Sequence, residues 1–228
     1  MLIGVVSHIS RQGMGDSLVD RVCADLIYRD QTCPPSIAGC AGNHARVLKD
    51  LHRMATPGEW SVVLEDDAIP VENFRNELKR ALLKCDGELV GLYLGTGNPS
   101  GATQQSISPA VIECLGRDAS WIVAKWFIST VGYAVHSSRL ASLVAALPDM
   151  SGPVDNRINE WSQTEGVETW YCQPSLVDHH DESSTITSFM PYRRQAHRFG
   201  ARDDWNRRTV HMGCPDAWNH PMERQDVT

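Results

Sequence analysis

Three consecutive acids, Glu65, Asp66 and Asp67, directly follow the apolar segment WSVVL. Like charges this close repel one another and resist the loss of water, so a cation is expected beside them, either basic side chains or a metal ion. Because alternate side chains of a strand face opposite sides, Glu65 and Asp67 are expected to share a side while Asp66 faces away. This spacing suits one hard divalent cation and a ligand bound to it. A solvated strand end, or acids that complement a following helix N-terminus, is the alternative.

Short apolar runs alternate with helical stripes along the first two thirds of the chain. We predict strands at 2–7, 24–28, 60–64, 88–95 and 167–172. Helices are predicted after an N-cap at Asp16 and at 39–55, 71–83, 137–146 and 154–163. This alternation predicts an α/β fold with a central, mainly parallel mixed sheet flanked by helices. Ligands of such sheets collect beyond the carboxyl ends of the strands, which is where the three acids lie.

Composition limits the class of protein. The 228 residues are 42% hydrophobic and carry a net charge of −7, which fits one large domain and excludes a broad nucleic-acid-binding surface. No run of about 18 apolar residues and no secretion signal is present, so we expect a cytoplasmic protein without membrane insertion. The 7 cysteines are an odd number and form no C-x-x-C pair. We therefore expect free thiols rather than disulfides or a thiolate zinc site.

Five segments, taken together, resemble a known family. In order and spacing they are similar to the glycosyltransferases that include bacterial lipooligosaccharide galactosyltransferases and collagen galactosyltransferases, and closest to the short versions found in phages and bacteria. The segments are GCAGNHARVL (39–48), VVLEDDA (62–68), VGYAVHSSRLASLVAAL (131–147), PVDNRI (153–158) and PSLVDHHDESS (174–184). The resemblance implies a GT-A fold over residues 1–191, a nucleoside-diphosphate sugar as donor, expected to be a UDP-sugar, and Mn²⁺ or Mg²⁺ as cofactor.

The resemblance also implies roles for individual residues. Asp67 matches the main metal carboxylate, Glu65 the neighbour that contacts the metal or the donor ribose, and Asp66 a supporting acid. A divalent cation there would stabilise the departing diphosphate as a Lewis acid. His179 matches the histidine that completes the metal site, ahead of His180, although both could be loop histidines bonded to nearby aspartates.

Other residues are expected to bind the donor or to accept the proton of the acceptor. Asp155 is the expected base that takes the acceptor proton in an inverting reaction, with a helix N-cap as the alternative. Asn43, which stands where the family usually has serine, and His44 are expected to bind the donor. Arg11 and Asp30 are expected to meet the nucleotide base.

The C-terminal segment, residues 192–228, is basic and aromatic before it becomes a polar tail. It contains Arg193, Arg194, Arg198, Arg202, Arg207 and Arg208. We expect it to border the acceptor entrance, where the acceptor is a glycan, a small molecule or a hydroxymethylated DNA base. A solvated tail is the alternative.

Two other functions remain open from the sequence. A metal-dependent phosphodiesterase or nucleotidyltransferase would need further carboxylates for a second ion, for which Asp16 and Asp30 are the early candidates. A non-catalytic module that binds sugar nucleotides is the other.

Overall fold

The computed structural model describes residues 1–96, 101–149, 151–180 and 194–213. Its centre is an eight-stranded sheet with the order β10-β6-β8-β5-β7-β3-β1-β2, and β4 pairs with β9 in a separate two-stranded sheet. The strands are β1 Leu2–His8, β2 Leu26–Asp30, β3 Trp60–Glu65, β4 Ala68–Pro70, β5 Leu89–Gly91, β6 Trp121–Ala124, β7 Gly132–His136, β8 Thr169–Cys172, β9 Val177–His179 and β10 Thr209–His211. Four of the seven pairings in the large sheet are parallel, including both pairings of β1.

Helices cover both faces of this sheet. Within the described residues they are α1 Gln12–Val22, α2 Ile37–Met54, α3 Phe74–Leu82, α4 Gly101–Gly116, α5 Ser137–Ala146 and α6 Val154–Thr164. The alternation of β3 explains the layering, because Val62 and Leu64 pack on the face that carries α1 and α3, whereas Val63 packs on the face of α2, α5 and α6. The predicted α/β class with a mixed, mostly parallel central sheet is confirmed, and it is consistent with a GT-A-like fold.

The part of the C-terminal segment that the structure describes belongs to the same packed unit. Strand β10 pairs in parallel with β6 at one edge of the large sheet. The Trp205 side chain is 6% exposed, and its ring centroid lies 5.8 Å from that of Trp121 in the core. Residues 194–213 are therefore not a solvated tail. Residues 192–193 and 214–228 of the predicted segment lie outside the described residues.

Several local predictions need correction. Helix α1 begins after Arg11, not at Asp16, which lies inside the helix. Helix α4 was not predicted, because Pro109 and a weakly amphipathic sequence hide its helical pattern. Strands β4 and β9 were also missed, since three-residue strands leave no periodicity to read. Among the described helices, none is both long enough and apolar enough to cross a membrane.

Candidate functional site

A pocket of about 140 Å³ lies where β1, β2 and β3 end and α2 begins. This is the edge at which ligands of open α/β sheets bind, and the volume is well above the ~10–15 Å³ that one water needs. Seven of the nine residues predicted for the site line the pocket: Arg11, Asp30, Asn43, His44, Glu65, Asp66 and Asp67. The sheet therefore brings together residues that are up to 56 positions apart in the sequence.

The cation beside the acids is, in this structure, Arg11. Its Nη1 donates to Asp67 Oδ2 at 2.8 Å and to Asp66 Oδ1 at 3.2 Å, and its side chain is 10% exposed. Burial by itself would lower the pKa of Arg11, but the charges and hydrogen bonds of Asp67 and Asp66 raise it above its ordinary value. Burial, followed by repulsion from Asp67, raises the pKa of Asp66, although the backbone N–H of His8 donates to it at 2.9 Å.

The side chains of Glu65, Asp66 and Asp67 do not face alternate sides of a strand, as was predicted. Strand β3 ends at Glu65, and Asp66 and Asp67 form a turn before β4. The strict alternation of side chains therefore stops at Glu65, and Asp66 and Asp67 converge on Arg11 instead of facing apart. The prediction that Asp66 points away from Asp67 was wrong for this reason.

Glu65 belongs to a second hydrogen-bond network. Its Oε1 accepts from Thr130 Oγ1 at 2.6 Å and lies 3.2 Å from His44 Nε2, and the other ring nitrogen of His44 lies 3.1 Å from the hydroxyl of Tyr133. Burial by itself would raise the pKa of Glu65, but the contacts with His44 and then with Thr130 lower it below the ordinary value. The contacts with His44 and Thr130 therefore favour the charged form of the Glu65 carboxylate at the pocket wall.

Asp67 meets His179, the histidine favoured from the sequence. Strands β4 and β9 pair Ala68 with His179, which places the imidazole Nε2 3.5 Å from Asp67 Oδ2. Asp67 Oδ1 and His179 Nδ1 are both buried and have no hydrogen-bond partner within the described residues. Such buried atoms are uncommon in proteins, and carboxylate oxygen with imidazole nitrogen is a donor set that divalent cations accept. His180 is exposed.

The expected metal set of Asp67, Glu65 and His179 is not the tightest cluster. In the described part of the chain, the group of three potential ligands whose atoms all lie within 4.8 Å of one another is Cys40, His44 and Glu65. Asp67 and His179 form a separate pair, 3.5 Å apart, while Glu65 is turned toward α2.

Asn43 and Asp30 have structural partners at the pocket edge. The Asn43 amide donates to the carbonyl oxygens of Ser7 at 3.0 Å and Tyr28 at 2.9 Å, and so fastens α2 to β1 and β2. The Asp30 carboxylate accepts from the backbone N–H and the hydroxyl of Thr32. Gly39 lets α2 begin against this carboxylate, because a Cβ at Gly39 would collide with it.

Asp155 lies in the first turn of α6 and does not line the pocket. The helix N-cap is Pro153, so the plain N-cap alternative is wrong, although Asp155 Oδ1 does accept from the backbone N–H of Asn156 at 2.9 Å. Burial, and then the negative charge of Glu65, raises the pKa of Asp155. A raised pKa suits a carboxylate that must take up a proton.

Other pocket residues were not found from the sequence. Cys40 lies one turn before His44 on α2, and the C-x-x-x-H spacing was a readable signal for it. Thr130, which donates to Glu65 but does not line the pocket, comes from a distant loop and gave no such signal. Arg194 lines the pocket, which agrees with the expectation that the C-terminal segment approaches the site.

Three other arginines of this segment pair with carboxylates away from the pocket. Arg202 and Arg208 pair with Asp118, and Arg207 pairs with Asp86. Asp118 and Asp86 offset part of the positive charge of these three arginines, which leaves less of it for a phosphate backbone. Trp205 is buried and is not available to stack on a base.

Comparisons with known proteins add little to this picture. No protein-family model matches the chain, and no curated protein matches it. One matching solved structure is the crystal structure of a glycosyltransferase involved in the glycosylation of the major capsid of PBCV-1, with a TM-score of 0.37 and 9% identity over 71% of this chain and 76% of that chain. At this TM-score and identity, the similarity defines neither the family nor the substrate of this chain.

Proposed function

We propose that this protein is a metal-dependent glycosyltransferase that moves a sugar from a nucleoside-diphosphate sugar, expected to be a UDP-sugar, to an acceptor hydroxyl. The observation that carries the proposal is the buried pair of Asp67 and His179, each with an unpartnered ligand atom, beside a pocket at the carboxyl ends of the central strands. The resemblance of the five sequence segments supports the same chemistry.

Asp67 and His179 would hold Mn²⁺ or Mg²⁺, with Glu65 as a neighbour that contacts the cation or the donor ribose. Bound there, the cation would offset the negative charge that develops on the departing diphosphate. Arg11 keeps the two aspartates together and places a guanidinium at the pocket wall, where it can also meet phosphate oxygens. Arg194 adds a second cationic side chain to the lining.

Asp155 is the proposed base for the acceptor proton, which would make the reaction inverting. Because its pKa is raised, Asp155 takes up a proton more readily than an ordinary aspartate does. Of the two acceptor classes we favour a glycan or a small hydroxylated molecule over DNA, because Trp205 is buried and cannot stack on a base and part of the segment's positive charge is offset by Asp118 and Asp86.

The phosphodiesterase alternative finds less support. Asp16, one of its two candidate carboxylates, is 51% exposed and pairs with Arg29, and it does not line the pocket. Asp30 lines the pocket, but both of its oxygens already accept from Thr32.

Calorimetric titration of UDP in Mn²⁺ and then in EDTA tests the proposal. We expect binding to need the metal, because Glu65, Asp66 and Asp67 otherwise oppose a diphosphate. The adjacent histidines provide a matched pair: His179→Ala should weaken Mn²⁺ binding at least tenfold, and His180→Ala should not. Equal UDP affinity with and without metal, or equal effects of the two substitutions, would refute the metal role.

Transfer itself is tested by screening nucleotide sugars for hydrolysis and acceptors by mass spectrometry. Asp67→Asn should abolish turnover while the circular dichroism spectrum stays that of the wild type. An unchanged rate would remove Asp67 from the site.

A further inference from the structure

A second cluster of potential ligands, separate from Asp67 and His179, lines the same pocket. Cys40 and His44 are four residues apart on α2, so their side chains point from one face of the helix toward the end of β3. Glu65 is the last residue of β3 and meets them there. One sulfur, one ring nitrogen and one carboxylate oxygen thus lie within 4.8 Å of one another.

The ligand types of this cluster differ from those of Asp67 and His179. Thiolate and imidazole favour borderline cations such as Zn²⁺ and Co²⁺, whereas Mg²⁺ and Mn²⁺ favour oxygen ligands. Zinc binds with bonds of ~2.3 Å to sulfur and ~2.0–2.2 Å to nitrogen and oxygen, which places tetrahedral ligand atoms roughly 3.5 Å apart. His44 Nε2 and Glu65 Oε1 are already 3.2 Å apart, and the three ligand atoms of the cluster, the Cys40 sulfur included, lie within 4.8 Å of one another, so the sulfur would have to move by roughly 1 Å.

The surroundings orient two of the three ligands. The hydroxyl of Tyr133, 3.1 Å from His44 Nδ1, can take either hydrogen-bond role: it donates to Nδ1 while Nε2–H faces Glu65, and it accepts from Nδ1–H when Nε2 coordinates a cation. Metal-binding histidines are held in this way by a partner on the other ring nitrogen. Thr130 donates to Glu65 Oε1 and fixes the carboxylate, while Oε2 takes part in neither contact.

We propose that Cys40, His44 and Glu65 form a three-ligand site for a zinc-class divalent cation, with its fourth position open to the pocket. The Cys40 thiol gives its proton to solvent when the sulfur coordinates, and the two positive charges of the cation offset the thiolate and the carboxylate. This inference goes beyond glycosyl transfer and does not depend on it. The sequence suggested no thiolate zinc site because it contains no close C-x-x-C pair, whereas this cluster joins a single cysteine to a histidine of the same helix and to a glutamate of β3.

Cobalt titration monitored by absorption tests the site without any substrate. A thiolate bound to Co²⁺ gives a sulfur-to-metal charge-transfer band in the near ultraviolet, which carboxylate and imidazole ligands do not give. We expect one equivalent of Co²⁺ to develop this band in the wild-type protein and added Zn²⁺ to displace it. Cys40→Ser should abolish the band, and His44→Gln should weaken Co²⁺ affinity at least tenfold.

Two controls separate this site from other thiols and from the proposed donor site. Cys33→Ser removes an exposed cysteine outside the cluster and should leave the band intact. Asp67→Asn should also leave it intact, even if the glycosyltransferase proposal fails. A wild-type protein without the band, a band that survives Cys40→Ser, or a band lost equally in Cys33→Ser would overturn the proposal. If His44→Gln fails to fold, Cys40→Ser still tests the site, because serine is nearly isosteric with cysteine.

Discussion

Replacing Arg11 by glutamine should destabilise the protein and should do so in a pH-dependent way. Arg11 Nη1 bridges Asp66 and Asp67, and the three side chains are 10%, 7% and 9% exposed. Removing one partner of a buried ion pair typically costs ~3–5 kcal/mol, because it leaves charge uncompensated. We expect the lower end, about 3 kcal/mol, since the His8 N–H still donates to Asp66 and His179 remains 3.5 Å from Asp67.

This loss in the free energy of unfolding corresponds to a fall in Tm of ~6–12 °C for a chain of this size. Denaturant unfolding at neutral pH measures it directly. Arg53→Gln is the matched control, because Arg53 is 64% exposed and pairs with Asp50 at the surface. Its effect should stay below about 0.5 kcal/mol.

The pH dependence follows from Asp66. Its pKa is raised in the folded state, so its contribution to stability is fully present below the unfolded pKa and is lost as the pH rises through the folded pKa. Without Arg11 this pKa rises further. The deficit of Arg11→Gln should therefore be largest at neutral pH and shrink toward pH ~4, where the carboxylates take up protons. A deficit equal to that of Arg53→Gln, or one that grows in acid, would refute the compensating role of Arg11.

Three further predictions concern other parts of the molecule. Gly39→Ala should lower the unfolding midpoint in denaturant, because the added Cβ would meet the Asp30 carboxylate. Gly42→Ala on the same helix meets nothing within 4 Å and should stabilise the protein by ~0.5–1 kcal/mol. Equal effects of the two substitutions would contradict the close approach at Gly39. Trp205→Ala should lower the free energy of unfolding by ~3–5 kcal/mol, because the buried indole is lost from the core. A loss below about 1 kcal/mol would show that the C-terminal segment does not pack firmly on the core. Alkylation at neutral pH, followed by mass spectrometry, should label exposed Cys33 well before Cys172, because burial raises the pKa of Cys172 far above its ordinary value. If Cys172 were labelled as fast in the folded protein as after unfolding, this order would be contradicted.

The amino-acid sequence by itself determined the class of fold and the edge at which the site lies. Alternating apolar strands and amphipathic helices predicted an α/β sheet, and three acids after the apolar strand pointed to the carboxyl end of β3. Both conclusions depend on local patterns that are written in consecutive residues. The expectation of a cation beside the acids followed from charge repulsion alone.

Only the tertiary structure decided which groups meet. The sequence could not say that Arg11 would be the cation, because the parallel pairing of β1 with β3 is what brings residues 11 and 67 together. Nor could it say that Glu65 would turn to His44 and Cys40 while Asp67 turns to His179. That division depends on where β3 ends and on the two-stranded pairing of β4 with β9, and neither a strand end nor a three-residue strand has a periodic signature.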